Sequence, residues 1–286
     1  MISWVAVMAL SLSDLKVLVR GGGEMASGIA YRLQRCHMKV LITEVAMPTA
    51  VRRAVAFAEA VYRGSHAVEG VEAVRVDSPA EAYKIWERDA IPLLVDPEAK
   101  VREAIRPEVL VDAIMAKKKT ATDKSYALLV IGVGPGFIAG VDVHAVVETN
   151  RGHNLGRVLW QGEAEQDTGV PAPVAGYTDE RVLRVPRSGL FKALHEIGDA
   201  VHPGEVVAQV DGHPIRAQID GVLRGVLKDG IAVEEGIKAG DIDPRGEREY
   251  CHLISDKARA IGGGVLEAIL HSLNGLNSPS VQILSH

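Results

Sequence analysis

The sequence predicts an α/β protein: a parallel sheet with helices on both faces, followed by a smaller β domain. Three observations carry this. Short runs rich in Val, Ile and Leu alternate with helical patterns through the first third of the chain, as in a doubly wound sheet. Aromatic residues make up 4% of the 286 residues and hydrophobic residues 47%, so the core is aliphatic, as it is where strands are buried on both faces. Beyond residue 180 the texture changes to short β segments punctuated by glycine.

In chain order, residues 17–19 read as a β-rich run, and 25–35 as a helix with Met25, Ile29 and Leu33 on one face. A strand follows at 40–43, then a helix over 48–62 with Pro48 near its first turn. Residues 71–76 read as a strand, and Ser78-Pro79-Ala80-Glu81 carries the cap, proline and acid of a helix start. Strands at 92–95 and 109–111 end in Asp96 and Asp112. A strand at 128–131 runs into Gly132-Val133-Gly134-Pro135-Gly136, and 141–149 is a further strand. Past Pro244 helical texture returns: Ser255-Asp256 reads as a cap, residues 265–273 are apolar at helical spacing, and a loose tail begins at Asn274.

The glycine-rich region repeats. Gly189, Gly198, Val201 and Gly204 recur as Gly221, Gly230, Val233 and Gly236, each displaced by 32 residues. This duplication resembles the barrel-sandwich fold of lipoyl and biotinyl domains, which is built from two such halves. Carriers of that kind hold their cofactor on a lysine at the central hairpin, whereas this hairpin reads Val210-Asp211-Gly212-His213-Pro214-Ile215. The expectation is an unmodified docking or lid domain. The chain therefore divides into a Rossmann-like α/β domain (15–180), a barrel-sandwich β domain (181–245) and a helical segment (246–274) that returns to the first domain.

The net charge of −5 gives no footprint for nucleic acid, and Lys117-Lys118-Lys119 reads as a solvated turn. Two cysteines without a CxxC pattern, Cys36 and Cys251, fit ordinary thiols in a reducing cytoplasm. The apolar opening MISWVAVMALSLSD has no basic n-region and is too short to span a bilayer. It reads as an upstream or misassigned start rather than a signal peptide, and no membrane segment is expected.

Chemistry is expected first at Gly21-Gly22-Gly23-Glu24-Met25-Ala26, followed by Ser27-Gly28. This G-x-G-x-x-A lies between a strand and a helix, where glycines let backbone amides approach a phosphate. Glu44 ends the next strand, twenty-one residues past Gly23, where an acid can accept hydrogen bonds from a ribose. The other reading is a turn that only lets helix and strand pack. Glu24 at the mouth is awkward for a pyrophosphate; Arg52 and Arg53 either reach a phosphate or lie on a solvated helix face. Asp96 and Asp112 occupy the strand ends where ligands of open α/β sheets bind, and are equally helix caps. Gly132, Gly134 and Gly136 form a second candidate loop. On a strand over 141–149, Asp142, His144 and Glu148 would share one face, with His153 in the loop beyond, suited to proton transfer or ligand binding or simply to a wet sheet face. No HExxH or paired CxxC marks a metal site, so none is expected.

Four runs, VLVRGGGEMASGIAYRL, ITEVAMPTAVRRAVAFAEAVY, LLVIGVGPGFIAGVDVHAVVETNRGHNLGRV and GDIDPRGEREYCHLISDKARAIGGGVLEAIL, resemble the YqeB-type accessory proteins of selenium-dependent molybdenum hydroxylases. The likeness spans roughly residues 15–271. It departs in the longer N-terminus, in Glu24 where an aspartate is common, and in Arg35-Cys36-His37 where a helix-ending glycine is frequent. The resemblance implies a maturation factor with a part similar in kind to the XdhC sulfuration factors. Its partners would be a client hydroxylase, selenium-delivery proteins and an anionic nucleotide-like small molecule, either molybdopterin cytosine dinucleotide or NAD(P). An NAD(P)-dependent oxidoreductase with a lid domain and a non-catalytic, ligand-gated scaffold stay open as alternatives, as does a homo-oligomer.

Overall fold

The computed structural model describes residues 11–275 except 117 and 168. Most of the apolar opening, Lys117 of the basic run and the tail from 276 lie outside the described residues. The first eleven strands are β1 (Lys16–Arg20), β2 (Lys39–Glu44), β3 (Ser65–Val68), β4 (Val71–Val76), β5 (Ile91–Val95), β6 (Val109–Asp112), β7 (Leu129–Val133), β8 (Ile138–Ala139), β9 (Ala145–Val147), β10 (Val158–Leu159) and β11 (Gly162–Glu163). The helices are α1 (Glu24–Arg35), α2 (Ala60–Arg63), α3 (Pro79–Trp86), α4 (Arg102–Ile105) and α5 (Asp256–Gly275).

Nine strands form one mixed sheet in the order β10-β9-β7-β6-β1-β2-β5-β4-β3, and β8 pairs with β11. From β9 to β4 every neighbour is parallel. The two outermost pairs, β3 with β4 and β9 with β10, are antiparallel, a correction to the expected all-parallel sheet. Side-chain alternation splits the core into two layers. Val17 and Val19 pack with Ile29 and Leu33 of α1 and Ile261 and Val265 of α5. Leu18, Leu41 and Leu110 face the other way, onto Ala82 and Ile85 of α3 and Ile105 of α4.

Helix α3 begins as its sequence prescribes: Ser78 Oγ accepts from Glu81 N at 3.3 Å, an N-cap, and Glu81 Oε2 accepts from Asp77 N, one residue before the cap, at 3.0 Å. Helix α1 ends at the position that lacks the frequent glycine. His37 takes the left-handed conformation (φ 64°), while His37 N donates to Gln34 O and Met38 N to Leu33 O, the bond pair of a Schellman motif.

The remaining strands are β12 (Val182–Arg184), β13 (Gly189–Ala193), β14 (Ala200–Val201), β15 (Val206–Val210), β16 (His213–Arg216), β17 (Gly221–Val226), β18 (Ala232–Val233) and β19 (Lys238–Asp243). They form two four-stranded sheets, β12-β19-β17-β14 and β16-β15-β13-β18. The 32-residue repeat becomes a reciprocal exchange of pairing. Ala200 and Val201 pair with Val222 and Gly221, and the counterparts Ala232 and Val233 pair with Leu190 and Gly189. Likewise Gly198 N donates to Leu223 O and Gly230 N to Phe191 O, both at 2.9 Å. Phe191 and its counterpart Leu223 are fully buried in a core of their own.

Candidate functional site

After β5 the chain crosses to the far side of β1 to build β6, so β1 and β6 are the strands between which the winding reverses. Crevices of open α/β sheets lie at the carboxyl ends of such strands. A cavity of about 660 Å³ opens there, with Gly21, Gly23, Glu24, Glu44, Ile114 and Lys238 among its lining residues.

The three consecutive glycines do different work. Gly21 sits at φ +92°, and a Cβ on it would stand 3.2 Å from Ala113 O; its amide donates to Thr43 O at 2.8 Å. Gly22 is pinned from both sides. Its amide donates to Glu44 Oε2 at 2.7 Å, and its carbonyl accepts from Ser27 Oγ at 3.0 Å and Ala58 N at 2.8 Å. A Cβ on Gly22 would lie 2.9 Å from Ala58 N. Gly23, immediately before α1, has nothing within 4 Å of a Cβ and an ordinary φ of −68°. Its open side belongs to the crevice. Gly28 is a packing residue, since its Cβ would meet Ala258 of α5 at 2.8 Å.

The charges around the crevice are already placed. Glu24 Oε1 lies 2.5 Å from Arg52 Nη1, and Arg52, only 5% exposed, also donates to Tyr250 O and Leu253 O. Arg53 bonds to Glu59 and to Val226 O; neither arginine lies on a solvated helix face. Glu44 accepts from Gly22 N with one oxygen and from Val45 N at 2.7 Å with the other. Burial raises its carboxyl above the ordinary range, against the lowering effect of those two amides. Arg20, at the end of β1, donates to Asp112 Oδ2 at 2.9 Å, to Pro97 O at 2.9 Å and to Thr122 Oγ1. Its Nε is buried without a hydrogen-bond partner, and Arg20 is among the residues that line the crevice. Asp112 is fully buried and takes Arg20, Thr120 Oγ1, Thr122 Oγ1 and Ile114 N. Asp96 accepts from Val101 N at 2.7 Å, a bond within the turn that precedes α4.

The second candidate group does not assemble. The expected strand over 141–149 is a strand only at β9, because Ile138 N bonds to Asp142 Oδ2 at 3.0 Å and turns the chain. Asp142 pairs with Lys119 at 2.5 Å. His144 Nδ1 accepts from Val130 N at 2.9 Å, and burial, then Lys124, depresses its pKa. Glu148 is buried and accepts from the amides of Thr149, Asn150 and Glu165. His153 is exposed in the following loop. Glycines 132, 134 and 136 are covered by Phe137, Thr149 and Lys118, each within 3 Å of where a Cβ would stand. Among the described residues no group of three His, Cys, Asp or Glu is set to hold a metal ion, and no helix is long and apolar enough to cross a membrane.

Thus the structure brings Gly21, Gly23, Glu24 and Glu44 to one crevice and leaves the 142–153 group outside its lining. Two lining residues carry no sequence signal of their own. Arg20 looks like the polar end of a strand, and Lys238 lies far along the chain and reaches the crevice only through the fold.

No family model matches the chain. Solved structures with low likeness include the apo form of the ectoine utilization protein EutE (DoeB) from Ruegeria pomeroyi (12% identity, 80% of this chain and 86% of that one, TM-score 0.23). A succinylglutamate desuccinylase/aspartoacylase from Rhodobacter sphaeroides aligns at 15% identity over 80% of this chain and 84% of that one (TM-score 0.24). An aspartoacylase family protein from Mesorhizobium loti aligns at 10% over 80% and 85% (TM-score 0.24). Superpositions this loose carry no weight for this chain. Among curated proteins, "Uncharacterized protein YqeB" of Escherichia coli (strain K12) is 49% identical over 254 residues, 89% of this chain and 47% of that protein. The chain spans about half the length of the curated relative it matches, and over that half it is a homologue of YqeB.

Proposed function

We propose that this chain is an accessory protein in the maturation of selenium-dependent molybdenum hydroxylases. In this reading its crevice holds a nucleotide or molybdopterin-dinucleotide ligand. The α/β part is then a Rossmann-like binding unit, and the duplicated β part is a barrel-sandwich unit that docks the client hydroxylase or its selenium-delivery partners. The client class comes from the sequence resemblance. The ligand class is supported by one observation above all: Gly23 is the single glycine of its loop with open space before it, at the reversal of strand order and at the start of α1.

The residues present suit such a group. The first residues of α1 and Arg20, whose Nε has no hydrogen-bond partner, line the crevice. Glu44 is fixed by two amides on the wall, with lone pairs left for a sugar hydroxyl. Ile114 and Met115 give an apolar side for a ring. The bound cofactor would carry the metal-binding dithiolene, and the chain's own part is to bind and orient it. Glu44 also suits the ribose of NAD, which keeps a dehydrogenase as the second reading.

Titration calorimetry with molybdopterin cytosine dinucleotide, NAD(H) and NADP(H) tests the reading. We expect tight binding of the molybdopterin dinucleotide to the wild type and its loss in Gly23→Asp, with an unchanged melting temperature because the new side chain enters open space. Preferential NAD(H) binding with hydride transfer would install the second reading. Unaltered binding in Gly23→Asp would remove the crevice from either one.

A further inference from the structure

Lys238 is the first residue of β19, in the β part, yet it lines the same crevice as Gly21 and Gly23. Its ammonium lies 3.0 Å from Asp241 Oδ1, with the side chain 41% exposed. Asp241 has two further cations. That carboxylate is fully buried and already receives Arg181 on Oδ1 at 2.7 Å and Arg224 on Oδ2 at 2.8 Å. Neighbouring Asp243 is taken by Arg245 at 2.6 Å and, more distantly, by Arg224. Four cations face two carboxylates, and Lys238 is the one on the crevice wall. A half-exposed third cation on a saturated carboxylate adds little stability.

Neither acid of the crevice pairs with Lys238, for Glu24 is held by Arg52 and Glu44 by backbone amides. Its one carboxylate partner is Asp241, which it shares with two arginines. The wall bearing Lys238 is also fixed relative to the glycine loop. Gly225 of β17 approaches Val51 so closely that a Cβ would stand 2.9 Å from Val51 O, and Arg53 Nε donates to Val226 O at 2.9 Å. Donors therefore meet the crevice from two directions: α1 and Arg20 from the sheet, Lys238 from the β part.

We infer that Lys238 is a ligand-binding residue of the crevice, and that the ligand carries at least two anionic groups, as a nucleoside diphosphate does, gripped by both parts of the chain at once. The inference rests on the crevice reading above. It makes the β part a component of the binding site as well as a docking surface.

Isothermal titration of the full chain with ADP and CDP, and with AMP and CMP, is the test. The wild type should bind the diphosphates about tenfold or more tighter than the monophosphates, the scale of one charge-assisted hydrogen bond. Lys238→Gln should erase that preference and flatten the dependence of diphosphate affinity on salt. Lys238→Arg should restore most of it, and Lys192→Gln, which removes an exposed lysine of the same β part, should change nothing. Melting curves of the four proteins check that they remain folded. Diphosphate binding that is equal in wild type and Lys238→Gln overturns the inference and leaves the crevice reading intact. Wild-type protein that binds none of the four nucleotides and no dinucleotide overturns both.

Discussion

His37 occupies a left-handed backbone position with a side chain that disfavours it. For an L-residue that conformation costs roughly 1–2 kcal/mol, which glycine avoids at some entropic cost of its own. His37→Gly should therefore raise stability by up to about 1 kcal/mol. The change would show as a higher urea midpoint at constant slope; a lower midpoint would mean that the imidazole's contacts outweigh the backbone term. His144 gives a pH dependence. Its Nδ1 must stay unprotonated to accept from Val130 N. Burial lowers its pKa first, Lys124 adds to this, and Asp123 opposes it. A depressed folded pKa means that the unfolded chain binds the proton more readily. The stabilisation is thus complete above the ordinary histidine value of about 6.5 and is lost as the pH falls below it. His66, lowered by burial, acts in the same sense. His202, raised by its hydrogen bond to Asp220, and Glu44, raised by burial, act in the opposite sense, so the test is differential. Between pH 7 and pH 5 the melting temperature of His144→Gln, whose amide oxygen can take the same amide, should fall less or rise more than that of the wild type. The glycine loop and Glu44 were legible from residue type and spacing. The partners of Asp112, Asp142 and Glu148 were not, because a carboxylate in a sequence does not say which amide or cation it meets.

At the level of elements, the parallel strands β1, β2, β4, β5, β6 and β7 were legible to within about two residues, because burial on both faces writes an unbroken apolar run. The short antiparallel edge strands β3 and β10 were not, and β9 begins four residues later than the run at 141–149 suggested. The longest misreading is 48–62. Its spacing is helical, but only Ala60–Arg63 forms an α-helix, after short 3₁₀ turns. The amides of Phe57 and Ala58 go to Ser27 Oγ and Gly22 O, so the bonds that would propagate a helix are spent on the glycine loop. Helix α5, by contrast, runs straight through Gly262-Gly263-Gly264. A Cβ on Gly262 would meet Gly28 O at 3.0 Å, and one on Gly264 would meet Gly156 O at 2.1 Å. Two of the three glycines that weaken the helix are what let it lie against its neighbours. Gly28→Val puts a branched side chain into the same contact, where Ala258 Cβ is 2.8 Å away. The cost should be at least ~1–3 kcal/mol, the usual range for overpacking. Gly23→Val, one turn earlier and facing open space, should cost far less, so comparing the two chemical denaturation midpoints separates packing from loop geometry. Equal losses would mean that α1 is not held by this close approach.

The whole molecule has two kinds of core. One lies on the two faces of the nine-stranded sheet; the other lies inside the duplicated β part. The duplication was legible because glycines at turns recur with the repeat. The reciprocal pairing it creates was not, since nothing in the spacing says which half pairs with which. Nor was the seam between the parts legible, because it is built from residues with no pattern of their own. Val51 and Tyr62 pack onto the β core, Arg53 bonds to Val226 O, and Gly225 gives Val51 the room to approach. A small β unit of this size buries too little surface to be very stable alone, so it should borrow stability through that seam and melt together with the sheet. Gly225→Val would drive a side chain into the Val51 backbone and loosen the seam while leaving both cores intact. The wild type should then give one calorimetric transition, and the variant two, with the β part melting first. Tryptophan fluorescence provides the check: Trp86 and Trp160, the tryptophans among the described residues, lie in the α/β part, so in the variant their fluorescence transition should follow only the hotter peak. A single transition in Gly225→Val, coincident by calorimetry and fluorescence, would show that the two parts are coupled by contacts other than this seam.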